Sequence, residues 1–132
     1  MKGAVERIST EVHGAIDLAF GTLMIVLPWL FQFDEDVRAR GVAVGVGATV
    51  LALVALTRYD FGLLPLIPMP VHLAVDMLIG VFLLTFALGG GLAGAGVRVW
   101  AAYVAAGAAA VVVAAATDPV APWTSARERL AP

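Results

Sequence analysis

Four apolar stretches, each close to the length that spans a bilayer, constrain this chain more than any other feature. A hydrocarbon core of ~30 Å is crossed by about 20 helical residues rising 1.5 Å each. Residues 12–33, 41–57, 71–88 and 97–117 all read as such spans. None of them keeps the period-2 alternation of a barrel wall, so strands are a poor alternative. Composition points the same way, with 61% hydrophobic against 14% charged residues in 132. A water-soluble chain this small needs more polar cover, not less, because its surface is large relative to its volume. The net charge of −2 offers no basic patch for a nucleic-acid partner. With no cysteine, disulfides, zinc–thiolate sites and thiol nucleophiles are excluded. The expected fold is all-α, with four transmembrane helices in a single membrane domain over residues 1–132 whose partner is the lipid bilayer.

The breaks between spans carry recognisable chemistry. Asp34-Glu35-Asp36 with Arg38 and Arg40 makes a charged turn after the first span. Gly62, Pro65, Pro68 and Pro70 interrupt the second connection. Gly89-Gly90-Gly91, Gly94 and Gly96 mark a nearly uncharged third one. Residues 118–132, with Pro119, Pro122, Arg127, Glu128 and Arg129, read as a short surface tail. The first span is too long for a signal-peptide core and follows Glu6 and Glu11, so it is expected to remain. Met1-Lys2 is not a myristoylation start, and no cysteine is available for other lipids.

An internal match organises the spans into two copies of a hairpin. Val12-His13-Gly14-Ala15-Ile16-Asp17 aligns with Val71-His72-Leu73-Ala74-Val75-Asp76, and Gly21 with Gly80. One further residue of offset aligns Val37-Arg38 with Val97-Arg98, Gly47-Ala48 with Gly107-Ala108, and Thr57 with Thr117. Repeat 1 covers 12–57 and repeat 2 covers 71–117, each with two spans. Even-span repeats enter the membrane from the same side, which implies a pseudo-twofold axis along the membrane normal. His13, Asp17, His72 and Asp76 then share one side of the bilayer and one depth. That side carries Lys2, Arg7, Arg58, Arg127 and Arg129 against Arg38, Arg40 and Arg98 opposite. The bias predicts a multi-pass protein of the cell membrane with both termini cytoplasmic.

The first span closes on Leu27-Pro28-Trp29, and together with the helix–charged turn–helix layout and the duplication this resembles the SPW repeat family of small bacterial and archaeal membrane proteins. That family is built from two-helix repeats whose first helix ends in Ser-Pro-Trp. Leu27 stands at the family's serine, and the second copy ends Phe86-Ala87-Leu88. The resemblance, over about 12–117, implies a prokaryotic four-helix membrane protein and no particular activity. Read on their own, Trp29, Phe31, Phe33, Trp100 and Tyr103 form interfacial belts, and Pro28 is a tolerated kink.

Asp17 and Asp76 need explaining, because a carboxylate within a span costs a few kcal/mol and is normally partnered inside the bundle. Each has a histidine four residues earlier, on the same helix face, which predicts an intrahelical pair presented twice. Three readings compete. In the structural one, the leading reading, each imidazole bonds its own aspartate, or the pair reaches across to the other repeat and fixes the helix register, with Arg58 as a charge partner to either aspartate. In the second, His13, His72, Asp17 and Asp76 form a four-ligand set for zinc or another divalent transition metal, or the two histidines hold a haem. In the third, they couple protons to transport as a small transporter or channel subunit. Enzyme chemistry is not expected. Ser9 and Thr10 read as helix N-cap residues, and Gly89-Gly90-Gly91 lacks the following Gly-Lys-Ser/Thr of a phosphate loop. Gly41-x-x-x-Gly45, Ala43 with Gly47, and the Ala-rich fourth span offer small-residue faces for packing inside the monomer or in a homodimer.

Overall fold

A computed structural model describes residues 7–119, which form four helices: α1 (Thr10–Leu30), α2 (Val37–Leu56), α3 (Met69–Leu88) and α4 (Val97–Ala116). Each is long and apolar enough to cross a membrane, and no strand lies among the described residues beyond two isolated bridges. The all-α, four-span architecture read from the sequence is therefore what the chain adopts. Lys2, Glu6, Pro122, Arg127, Glu128 and Arg129, and with them most of the expected tail, lie outside the described residues.

The helix ends differ from the hydropathy boundaries where capping chemistry overrides composition. Ser9 caps α1, its Oγ accepting from the Val12 N–H at 3.2 Å, while Thr10 is the first helical residue and is buried. The Asp36 carboxylate accepts from the N–H groups of Arg38 and Ala39, both at 3.0 Å. That cap starts α2 at Val37 and not at 41, so both arginines belong to its first turn and only the acidic residues to the connection. At the other end of the same turn, Phe31 donates to Leu27 O and Phe33 to Pro28 O. Gln32 there adopts φ 57°, which stops α1 three residues short of the apolar run. Pro70 lies in the first turn of α3, where its missing N–H leaves no gap in the ladder. The third connection turns on Gly90, Gly94 and Gly96 at φ 90°, 86° and 86°, a region that residues with a Cβ rarely enter.

Close backbone packing runs within each hairpin, α1 against α2 and α3 against α4. A Cβ placed on Gly21 would stand 3.1 Å from Gly47 O, and one on Gly80 would stand 2.9 Å from Gly107 O. The missing side chains let the paired backbones touch, which gains dispersion contacts that lipid cannot supply. Between hairpins the core is made by side chains, among them Met24, Ala43, Leu83 and Tyr103. Tyr103 is fully buried and its hydroxyl donates to Ala39 O across the hairpins, with Phe33 packed edge-on against its ring. These two are core residues, which corrects their assignment to an interfacial belt. Trp29, Phe31 and Trp100 do face outward. The Gly41 and Gly45 positions are open, with nothing near a Cβ at either.

One end of the bundle is tied by backbone. Ile8 donates to Ala116 O at 3.0 Å and Asp118 donates to Ile8 O at 2.9 Å. Beside it, Arg58 donates to Ile67 O at 2.9 Å and Ile67 to Leu56 O at 2.8 Å. The start of α1, the end of α2, the start of α3 and the end of α4 therefore meet at one level.

Candidate functional site

At that level the four polar residues singled out in the sequence come together. His13 and Asp17 lie one turn apart on α1, His72 and Asp76 one turn apart on α3, and the two pairs face each other. Both histidines are 0% exposed, and Asp17 and Asp76 are 6% and 5% exposed. His13 Nε2 lies 3.0 Å from Oδ2 of Asp17 and 3.0 Å from Oδ2 of Asp76. His72 Nε2 lies 2.9 Å from Asp17 Oδ2 and 3.0 Å from Asp76 Oδ2. The result is a closed ring of alternating nitrogen and oxygen with four nearly equal edges. The expected pair within each helix is present, but the better-aligned hydrogen bonds are the crossed ones, His13 with Asp76 and His72 with Asp17. The unit is a tetrad, not two intrahelical pairs.

The outer nitrogens are held by two threonines that sequence reasoning left without a role. Thr117 Oγ1 is 2.8 Å from His13 Nδ1, and Thr57 Oγ1 is 2.7 Å from His72 Nδ1. Each hydroxyl has one proton, and each directs it at a backbone carbonyl of its own helix. Thr117 donates to Val113 O at 2.6 Å and Thr57 to Leu53 O at 2.6 Å. Toward the imidazoles the hydroxyls can then only accept, so both Nδ1 atoms carry a hydrogen. That assigns the tautomer and leaves both Nε2 atoms turned into the ring. An Nε2 lone pair 3 Å from a carboxylate oxygen is repelled, so positive charge has to sit between them. Two protons suffice, each shared along a nitrogen–oxygen edge, since they balance the two carboxylates. The alignment of Thr57 with Thr117 in the repeat was the signal that could have found them.

Every well-aligned hydrogen bond of both imidazoles crosses from one hairpin to the other. His13, on the first hairpin, reaches Thr117 and Asp76, while His72, on the second, reaches Thr57 and Asp17. Tyr59, from the connection after α2, closes the site from outside. Its ring centroid is 5.8 Å from that of His72 and it packs over Gly14, which has no side chain to obstruct it. The Tyr59 hydroxyl is buried with no hydrogen-bond partner among the described residues. Burial, and after it the negative Asp17 and Asp76, pushes its phenol above the ordinary tyrosine range.

Two expectations are corrected. Arg58 does not serve the aspartates: it is exposed, and its Nε donates to Pro65 O at 2.9 Å. It sits beyond Thr57, where the chain turns outward, so its guanidinium pins the connection instead. A haem between the histidines has no room. Their ring centroids are 5.3 Å apart, and both Nε2 atoms already have carboxylate oxygens at 3.0 Å or less, where a macrocycle would have to lie. On the bilayer side of the ring is a cavity of about 30 Å³ whose walls include His13, Asp17, Asp76, Phe20 and Ile79. That volume holds about one water. Deeper in the bundle no histidine, aspartate or threonine is buried among the described residues.

No protein-family model matches the chain, and comparison with curated proteins and with solved structures likewise gave no match. What the molecule does has to be argued from the tetrad itself.

Proposed function

We propose that this is a small SPW-repeat-type membrane protein, formed by duplication of a two-helix unit, whose tetrad clasps its two hairpins into one scaffold for structural or interaction roles. The observation that carries this is the crossing of all four imidazole hydrogen bonds. The hairpins pack tightly within themselves and are joined, at this end, by the side chains of the tetrad and by the Ile8–Ala116 and Asp118–Ile8 backbone bonds. Support for the duplication is that each contact has its counterpart under exchange of the repeats: His13–Thr117 with His72–Thr57, His13–Asp76 with His72–Asp17, and the Gly21–Gly47 crossing with Gly80–Gly107. Both termini are assigned to the cytoplasm on the arginine and lysine bias, of which Arg7 and Arg58 are described and Lys2, Arg127 and Arg129 are not. The open Gly41/Gly45 face is the surface on which a homodimer would pack. Transport is less well supported, because the polar groups stop at one end and give way to an apolar core around Met24 and Leu83.

The absence of cysteine makes a clean test possible. Spin labels on Ala52→Cys and Val112→Cys, both exposed toward the tetrad end of α2 and α4, report the separation of the hairpins there. In detergent with chelator present, the parent gives one narrow distance distribution. His13→Ala/His72→Ala broadens it while helix content by circular dichroism is retained. An unchanged narrow distribution in the double variant sinks the clasp.

A further inference from the structure

The geometry points to the tetrad as a binding site for one divalent transition-metal ion of the zinc class, held by His13 Nε2, His72 Nε2, Asp17 Oδ2 and Asp76 Oδ2. This goes beyond the clasp and shares with it only the gathered side chains. Three independent features of the ring carry it.

The first is size. The ring edges are 2.9–3.0 Å and the four ligating atoms lie within 4.8 Å of one another. The centre of a square with such edges is ~2.1 Å from each corner, the length of zinc–imidazole and zinc–carboxylate bonds. Folding the ring into a tetrahedron with those bonds needs all six separations at ~3.3 Å, so the edges open by a few tenths of an ångström while the two diagonals, ~4.2 Å in the square, close by about an ångström. The second is charge. Two carboxylates in a dry site require two positive charges, and one divalent ion at the centre supplies both while touching all four atoms. Two neutral nitrogen and two carboxylate ligands suit zinc and its neighbours better than calcium or magnesium, which take six or more oxygens. The third is orientation. A metal-binding histidine donates its second ring nitrogen to an outer partner, which fixes the tautomer and aims the lone pair. Thr57 and Thr117 do this for both rings, through hydroxyls whose own protons are committed to Leu53 O and Val113 O. Packing alone does not require both imidazoles to turn the same nitrogen inward.

The decisive variant is Asp17→Asn/Asp76→Asn. It removes the charge a cation needs, yet each carboxamide N–H can donate to the inward Nε2 lone pair, so the hairpins stay tied. The full-length protein, purified in mild detergent and stripped by chelator, is titrated with zinc chloride against a chromophoric competitor. Bound metal is counted by elemental analysis, and cobalt(II) replaces zinc for a visible spectrum. The expected result is one zinc per chain, a melting temperature that rises with zinc, and the intense visible bands of low-coordinate cobalt. The Asn pair keeps the metal-free melting temperature and binds zinc at least ~100-fold more weakly. Glu11→Gln, at an exposed carboxylate, changes nothing. If the Asn pair does not fold, Thr57→Val/Thr117→Val decides: affinity falling ~10-fold supports the site, and unchanged affinity overturns it. No zinc on the parent above a detergent blank overturns the site. So does equal binding by a folded Asn pair, which puts any metal elsewhere. The clasp is judged separately, by the metal-free hairpin distance, so either idea can fail alone.

Discussion

The hydroxyl of Thr117 offers the sharpest test of how the tetrad is built. Thr117→Val keeps the β-branched shape and removes only the acceptor that takes the His13 Nδ1 hydrogen at 2.8 Å. His13 is fully buried, so that hydrogen is left without a partner and without water. An orphaned buried donor costs about 1–3 kcal/mol in proteins generally. Interhelical hydrogen bonds in membranes average ~0.6 and reach ~1.7 kcal/mol, because the unfolded chain in lipid also finds partners. The expected loss is therefore ~1–2 kcal/mol, and the same for Thr57→Val, which strands His72 Nδ1 in the same way. Thr85→Val is the internal control: its hydroxyl also donates to a carbonyl one turn back, Val81 O at 2.9 Å, but it is exposed and touches no histidine. Its substitution is expected to cost under ~0.5 kcal/mol. Reversible unfolding in mixed micelles of rising dodecyl sulfate fraction gives all three values on one scale. The double variant should lose less or more than the sum by over ~0.5 kcal/mol, because both hydroxyls orient members of one ring. If Thr57→Val and Thr117→Val cost no more than Thr85→Val, the hydroxyls are not accepting from the imidazoles, and the assignment of the hydrogens to Nδ1 falls with them.

Glycine at the helix crossings and on the open face should behave oppositely. Gly107→Ala drives a methyl to 2.9 Å from Gly80 O and Leu84 Cγ, where backbone has to move, and should cost ~1–3 kcal/mol in the same unfolding assay. Gly45→Ala meets nothing and should be neutral or stabilising by ~0.5–1 kcal/mol; a reversal of the two would show that the crossings are misplaced. Tyr103→Phe, which deletes the hydroxyl donating to Ala39 O, should destabilise by ~1 kcal/mol without altering helix content. In that variant Tyr59 is the single tyrosine, since the sequence has two, and its ultraviolet titration should show no phenolate at the usual ~10. The folded state holds Tyr59 protonated where the unfolded chain has ionised, so stability is unaffected below pH ~10 and falls as pH rises above it. Ordinary titration near pH 10 in the folded protein would mean that the Tyr59 ring does not cover the tetrad.

The spans were legible because bilayer length and hydropathy act on every residue of a segment at once, and a few polar residues do not disturb the average. Helix ends are decided by single side chains. Asp36 extends α2 back over two arginines that hydropathy assigned to the turn. His13, Asp17, His72 and Asp76 stood out because ionisable groups in spans are rare and the internal match gave them a common depth. Their partners could not be read the same way. Whether Asp17 bonds the histidine on its own helix or the one opposite depends on how α1 and α3 are rotated, which no spacing along one helix reports. Thr57 and Thr117 were hidden because threonine at a helix end is unremarkable until a ring nitrogen is found 2.7–2.8 Å away. Tyr103 and Phe33 were misassigned because an aromatic near a span end fits an interface and a core equally well until its neighbours are known.

The bundle joins its hairpins differently at its two ends, and this asymmetry sets what the tetrad can control. At one end four charged or ionisable groups and two hydroxyls, beside the backbone bonds of Ile8 with Ala116 and Asp118, hold α1 to α3 and to the ends of α2 and α4. At the other, one phenol on an apolar surface reaches across to Ala39 O. A change of charge inside the ring therefore acts on the hairpin contact locally. Removing one positive charge leaves carboxylates 3 Å from bare lone pairs and pushes α1 from α3 there, while the Tyr103 end keeps its dry packing. The motion open to such a molecule is a splaying about the Tyr103 end. It would uncover the cavity beside His13 and Asp17 toward the face closed by Tyr59, and it would leave the Met24–Leu83 layer shut. With the Met24–Leu83 layer shut, a change at the tetrad stays at that end of the bundle.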